Sequence, residues 1–170
     1  MWRSNSCRQG CVILRELAAG LHPSVLTDRG LAPAVQVLAT RSAVPVEVRS
    51  LPSERLPAAV EITAYFVVAE ALTNAAKHAR CEHAEIAVAV EEGWAVVVVR
   101  DDGVGGAAAA GGSGLRGLAD RVSALGGGLE IESPAGGGTM IRARIALPGG
   151  ELAATPTPLG SRGARLPSPD

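Results

Sequence analysis

The residues with the clearest chemical capacity lie in the stretch Glu70-Ala71-Leu72-Thr73-Asn74-Ala75-Ala76-Lys77-His78-Ala79. On a helix, Glu70, Asn74 and the pair Lys77/His78 stand at i, i+4 and i+7/i+8, so they share one face. A carboxylate, a neutral amide and one or two nitrogen bases thus line up on a segment that is otherwise almost entirely apolar. The Asn74 amide oxygen is a suitable hard ligand for Mg2+, which keeps several waters and also takes phosphate oxygens. A carboxylate one turn away, Glu70, can orient or deprotonate a nucleophile. Lys77 or His78 can neutralise phosphate charge. The chemistry suggested is that of a nucleotide with its magnesium ion. The plain alternative is a helix end whose polar residues reach solvent.

Three further stretches bear on that choice. Asp101-Asp102-Gly103-Val104-Gly105-Gly106 directly follows an apolar run. An Asp at a strand end can accept a hydrogen bond from an exocyclic amine such as that of adenine, and Gly103 and Gly105 let the backbone approach a flat ring. An ordinary Asp-Gly turn is the structural alternative. Gly111-Gly112-Ser113-Gly114-Leu115-Arg116-Gly117 opens a helix, where unpaired N–H groups and the helix dipole form an anion site. It lacks the Gly-Lys-Ser/Thr of a P-loop, and it follows a long loop rather than a buried strand, unlike a dinucleotide fingerprint. Residues 105–113 are expected to move and to close as a lid. Finally, in Gly136-Gly137-Gly138-Thr139 the threonine hydroxyl can reach a base directly or through a water. By itself that stretch also fits a flexible hairpin loop.

The elements that must position these groups follow from periodicity. Residues 1–10 show no period and read as a loose leader, and 12–21 have helical spacing ended by Gly20 and Pro23. Thr27 or Asp28 can cap a helix over roughly Arg29 to Thr40, with Pro33 in its first turn. Residues 44–50 alternate as a short strand, which Pro45 places at an edge or a strand start. A long helix opens around Ser53–Pro57, with Pro57 in its first turn, and runs to about Ala79; its length outweighs its β-branched content. Residues 84–91 alternate, Glu92-Gly93 turns, and 94–100 are continuously apolar, as expected of a central strand covered on both faces. Residues 115–125 form an amphipathic helix closed by Gly126–Gly128. Strands over 129–133 and 139–147 complete the set, and 149–170 read as a disordered tail. Hairpin-linked strands with helices on one face give an α+β two-layer sandwich with a mixed, mostly antiparallel sheet, not the β-α-β alternation of a Rossmann-type fold.

Composition bounds the rest. The chain has 170 residues, 47% hydrophobic and 19% charged, enough for one globular domain with a core; at 2% aromatic, that core must be built of Val, Leu, Ala and Ile. A net charge of −1 offers no electrostatic case for nucleic acid or an anionic membrane. Cys7, Cys11 and Cys81 have no metal-ligand spacing, and their odd number suggests a reducing compartment without a disulfide framework. No apolar run is long enough to span a bilayer, and Arg15 and Glu16 interrupt the only candidate signal segment. The expected location is cytoplasmic, for this chain alone or for the cytoplasmic part of a membrane-bound protein.

Taken together, Glu-x3-Asn on a helix, Asp-x-Gly-x-Gly after a strand, Gly-x-Gly-Leu-x-Gly before a helix and Gly-Gly-Gly-Thr between strands closely resemble one nucleotide-binding fold. It is shared by gyrase-type topoisomerases, heat-shock chaperones, histidine kinases and mismatch-repair ATPases, the GHKL ATPases. The resemblance covers roughly residues 55–148. It implies that Glu70 and Asn74 match the N box, with Asn74 binding Mg2+. It matches Asp101, Gly103 and Gly105 to the first glycine box, with Asp101 recognising adenine. Gly112, Gly114 and Gly117 match the second box, within which Leu115 lies, and Thr139 matches the threonine after the last glycine run.

Arg15–Leu26 followed by Gly30-Leu31 resembles the end of a dimerisation region and its link to the ATPase domain in sensor kinases that signal to NarL-type response regulators. Leu115–Val122 and the following Leu-Gly-Gly-Gly fit the same subfamily. This divides the chain into a leader (1–10), a dimerisation and linker remnant (11–27), an ATP-binding catalytic domain (28–148) and a tail (149–170). The resemblance implies a protein-histidine kinase that delivers the ATP γ-phosphate to a histidine for relay to a response-regulator aspartate. Its implied partners are a dimerisation/phosphoacceptor region and a NarL-type regulator, and a homodimer is allowed. The phosphoacceptor is expected elsewhere: His22 precedes Pro23 at a helix exit, and His78 and His83 lie at or beyond the nucleotide helix. Two other readings use the same fold: a serine protein kinase of the anti-sigma type, and a non-catalytic module that binds nucleotide or dimerises.

Overall fold

The computed structural model describes residues 24–107 and 113–148. The leader, the 12–21 helix, His22, Gly111, Gly112 and the 149–170 tail lie outside the described residues.

Alternation over Ala84–Glu91 produces strand β2 with the predicted boundaries. Glu92 and Gly93 take φ of 48° and 82°, the paired positive values of a tight hairpin turn, and return the chain as β3, Trp94–Asp101. The strand β1 (Val46–Ser50) lies at one edge and pairs parallel with β2. The Pro45 carbonyl accepts the Ala84 N–H at 2.9 Å, so the proline marks a strand start on an edge as predicted. β4 (Gly128–Glu132) and β5 (Thr139–Ala146) form a second hairpin, and β5 pairs antiparallel with β3. The five-stranded order β1-β2-β3-β5-β4 puts β3 at the centre.

The helices pack on one face of this sheet. Ile86, Val88, Val97, Val99, Ile141 and Ile145 point into a single core with Ala64, Val67, Val68 and Ala71 of the long helix α3, Ala58–Asn74. α3 is apolar around most of its circumference because the sheet lies on one side and neighbouring helices on others. The opposite sheet face carries Ala87, Ala89, Val96, Val98 and three arginines, with no helix of the described residues on it. The apolar run of β3 therefore does not reflect cover by secondary structure on both faces. Val96 is 6% exposed because it lies among strand neighbours, with Arg144 directly opposite; that guanidinium folds over Trp94 at 4.8 Å.

Three element boundaries differ from expectation. The helix expected over 29–40 with Thr27 or Asp28 as its cap is α2 (Leu31–Arg41), which starts after Gly30; Thr27 and Asp28 lie instead inside a separate short helix, α1 (Ser24–Arg29). Gly30 has φ 87° and donates to the Leu26 carbonyl at 3.0 Å, closing α1 in a conformation that a glycine tolerates. Leu26 of α1 belongs to the core. Pro57 is the N-cap of α3 rather than a residue of its first turn. In place of a capping side chain at Pro57, the buried carboxylate of Glu61 accepts the Leu56 N–H at 3.1 Å and the Arg55 guanidinium at 3.0 Å. Lastly, α3 does not continue as an α-helix to Ala79: Ala75–Ala79 widen into a π-helical turn, ended by Arg80 at φ 49°.

Helix α4 (Ser113–Ala124) lies beside α3, with the Arg121 guanidinium 4.7 Å from the centre of the Phe66 ring. Gly126 at φ 70° and the Gly127 N–H on the Val122 carbonyl at 3.0 Å terminate it, as the glycine run predicts. Among the described residues no helix is long and apolar enough to cross a membrane.

Candidate functional site

The end of α3, the start of α4, the ends of β3 and β5 and the loop after β3 enclose a cavity of about 330 Å³. Glu70, Asn74 and His78 supply one wall, Asp101 and Thr139 a second, Gly114 and Leu115 a third, and Ala71, Val99 and Ile141 contribute apolar surface. The mix of apolar lining and a few convergent polar groups is that of a small-molecule site.

The strand register accounts for one polar pair. Asp101 and Thr139 are direct partners across the β3–β5 ladder, so two residues far apart in sequence meet at one strand end. Asp101 Oδ1 accepts the Gly103 N–H at 3.0 Å, and Oδ2 has no protein partner among the described residues. The Thr139 hydroxyl sits 2.9 Å from Ser133 Oγ. Glu70, Asn74 and His78 likewise have no side-chain partner among the described residues, although all three line the cavity. Polar groups gathered in a cavity without mutual bonds are available to a ligand.

Lys77 does not belong to this wall; it is exposed and off the cavity. The π-helical turn explains the difference. Its i→i+5 winding turns less per residue, so i+8 rather than i+7 returns to the face of Glu70. His78 is therefore the nitrogen base of the site.

The glycines also take different places from those expected. Gly103 does not face the cavity. It is buried against the π-helical turn, where a β-carbon would lie 2.6 Å from the Ala79 β-carbon and against the Ala79 carbonyl. That carbonyl accepts the Val104 N–H at 2.8 Å. Gly105 lines the cavity, yet its own close approach is to the Pro134 carbonyl. Gly117 lies within α4 away from the cavity, and a β-carbon there would meet nothing within 4 Å. Gly114 makes the most telling contact: the Glu70 carboxylate packs directly on its α-carbon, so the two predicted boxes touch.

Ser133 went unrecognised in the sequence. Its hydroxyl accepts the Ala107 N–H at 2.9 Å, and its carbonyl accepts the Gly106 N–H at 3.0 Å, tying the loop after β3 to the β4–β5 hairpin. A strand-end serine before a proline carries no signal until the two loops are seen together. Asp102 also anchors this region. Its carboxylate accepts the N–H groups of Glu82 and His83, each at 2.9 Å, and these bonds, that from His83 foremost, hold its carboxyl below the usual aspartate range. Burial, and then the Asp101 charge, push the Cys81 thiol up, away from a reactive thiolate. His83 stands outside the cavity, with Nε2 3.7 Å from Glu47 Oε2.

A helix-to-sheet cavity with an acidic strand end, a carboxylate–amide helix face and a glycine-opened helix defines a nucleotide-binding domain. Residues 59–149 match the family model of the histidine kinase-, DNA gyrase B- and HSP90-like ATPases. The chain belongs to that family, and the resemblance drawn from its motifs is correct at that level.

Among relatives, the chain is 31% identical over 136 residues to the signal transduction histidine-protein kinase/phosphatase DegS of Brevibacillus brevis, covering 75% of this chain and 35% of that protein. It is 30% identical over 144 residues to an uncharacterized sensor-like histidine kinase of Chloroflexus aurantiacus, covering 75% of this chain and 24% of that one. It thus spans about a third and a quarter of the lengths of these relatives. The histidine kinase domain of the Erythrobacter litoralis EL346 blue-light activated histidine kinase superposes with a TM-score of 0.56 at 25% identity, covering 82% of this chain and 65% of that one.

Proposed function

We propose that this chain is the ATP-binding catalytic part of a two-component sensor histidine kinase. The observation that carries the proposal is the convergence of Glu70, Asn74, His78, Asp101, Thr139 and the start of α4 on one cavity, with the helix-face groups unpartnered among the described residues. Relatives named as histidine kinases support the choice within the family.

The donor set fits Mg-ATP. Asn74 presents a hard amide oxygen to a small divalent cation that keeps waters and phosphate oxygens besides, Glu70 stands one turn away on the same wall, and the Asp101 carboxylate is an acceptor for an exocyclic amine. Bound Mg2+ would neutralise phosphate charge. Asn74 would hold the ion, His78 would face the phosphates, and N–H groups at the start of α4 would receive phosphate oxygens. Glu70 would orient the attacking nucleophile, with catalysis resting on positioning and charge rather than on covalent chemistry.

The acceptor would be a histidine of a dimerisation helix, with relay to a response regulator. The motif pattern at Arg15–Leu26 and Leu115–Val122 favours a NarL-type regulator and residues 11–27 as part of a dimerisation region and its linker, and such a domain works in a cytoplasmic setting. Neither described histidine suits phosphate acceptance: His78 is part of the nucleotide wall, and His83 lies outside the cavity. Incubation with γ-labelled ATP tests this. The chain should bind ATP and gain little label, then phosphorylate a separately supplied dimerisation region on histidine. Stoichiometric acid-labile label on the chain alone would contradict an acceptor supplied by a separate dimerisation region. Label on a serine of a partner protein would favour a serine kinase instead.

A further inference from the structure

Resting on the ATP reading above, we propose that Ser133 is a positioning residue that fixes the direction of the Thr139 hydroxyl, making it a hydrogen-bond donor to the nucleotide base. A serine hydroxyl has one proton to give and two lone pairs. Ser133 Oγ accepts the Ala107 N–H at 2.9 Å. Its own proton has two candidate acceptors, Thr139 Oγ1 at 2.9 Å and the Gly138 carbonyl at 3.5 Å. Only the 2.9 Å contact lies within the usual O–H···O range of up to about 3.0 Å, so we assign the Ser133 proton to it; the reverse bond, with Thr139 donating to the second Ser133 lone pair, would leave this wall without a hydroxyl donor and is the alternative that the titration below separates. Thr139 Oγ1 then keeps its own proton, which has no acceptor among the described residues, on the cavity wall.

The chain of bonds thus runs from the Ala107 amide through Ser133 to Thr139 and on into the cavity. Beside it, Asp101 Oδ1 is taken by the Gly103 N–H, and Oδ2 remains as an acceptor. The ladder sets Asp101 and Thr139 side by side, so this wall presents an acceptor next to a donor. That pattern complements a ring edge with an amine beside an unprotonated ring nitrogen, and it opposes an edge with an oxo group beside an N–H. Without the Ser133 hydroxyl, Thr139 loses the partner that commits it to donate, and the base is read by Asp101 alone.

Titration of the full chain with ATP, 1-deaza-ATP and 7-deaza-ATP, each of the latter two lacking one ring nitrogen that flanks the amine, tests the proposal. In the wild type, one deaza nucleotide should bind about tenfold more weakly than ATP, the scale of a single hydrogen bond. In Ser133→Ala that gap should shrink to about twofold or less, and Ser133→Thr, which keeps the hydroxyl, should restore it. A purely structural role would weaken all three nucleotides by one common factor. That result, a gap that persists in Ser133→Ala, or equal wild-type affinity for all three, would overturn the proposal. Failure of the wild type to bind ATP at all would instead overturn the nucleotide reading on which it rests.

Discussion

Two glycines of the predicted nucleotide boxes should respond to alanine in opposite directions. At Gly103 a β-carbon would sit 2.6 Å from the Ala79 β-carbon and 2.8 Å from its carbonyl carbon, against a rigid turn whose carbonyl already holds the Val104 N–H. Because its φ is not positive, the cost is steric rather than conformational. Overpacking of this kind costs about 1–3 kcal/mol. For roughly 120 described residues, an unfolding entropy near 2.1 cal/mol/K per residue converts 1 kcal/mol to about 4 °C. Gly103→Ala should therefore lower Tm by about 4–12 °C and weaken ATP binding, because relief requires the Asp101 loop to leave the π-helical turn. Gly117, inside α4, has open space where a β-carbon would go. Gly117→Ala should stabilise by about 0.5–1 kcal/mol, raise Tm by about 2–4 °C, and leave ATP affinity unchanged. Thermal unfolding by circular dichroism with a parallel ATP titration measures both. If Gly103→Ala matched the wild type, the close packing would be wrong; if Gly117→Ala lost ATP, this glycine would border the nucleotide.

Other consequences follow from single side chains. Glu61→Ala removes the acceptor for the Leu56 N–H and the Arg55 guanidinium, and should cost about 2 kcal/mol in urea unfolding with m unchanged. Asp102 has a folded-state pKa below its unfolded one, so its stabilising contribution is full above the ordinary aspartate pKa and is lost as pH falls through the depressed value. The stability gap between wild type and Asp102→Ala should accordingly be constant near neutrality and narrow through that acid window; a gap that widens there would reverse the sign. Asn74→Ala should weaken ATP binding in Mg2+ and leave binding in EDTA unchanged, whereas equal loss in both media would deny Asn74 a metal role.

Much of the fold was legible because it rests on period and punctuation. The alternation of 84–91, the Glu92-Gly93 turn and the Gly126 stop each act locally, and the structure realises them as read. The break at Gly30 was not legible, because helical spacing runs through it and the Arg55 side chain that packs on its α-carbon comes from a distant segment. The outer face of β3 misled for a similar reason: Val96 is buried by a cross-strand arginine rather than by a helix. At the site, Glu70, Asn74, Asp101 and Thr139 were named from spacing and do converge. Lys77 and His78 could not be separated without the π-helical turn, which no residue in Ala75–Ala79 announces. Glycine boxes suggest backbone approaching a ligand, but Gly103 makes its close approach to the protein's own backbone.

The central claim is that this cavity holds Mg-ATP with Asp101 on the base. Calorimetric titration of wild type, Asp101→Ala and Asp101→Asn tests it most directly. The wild type should bind Mg-ATP with one site per chain, and Asp101→Ala should lose about 10–100-fold, the scale of a hydrogen bond to a charged group. Asp101→Asn should fall between them, retaining one amide oxygen as an acceptor. Equal affinity for ATP in the wild type and Asp101→Ala, or no ATP binding by the wild type, would contradict the account.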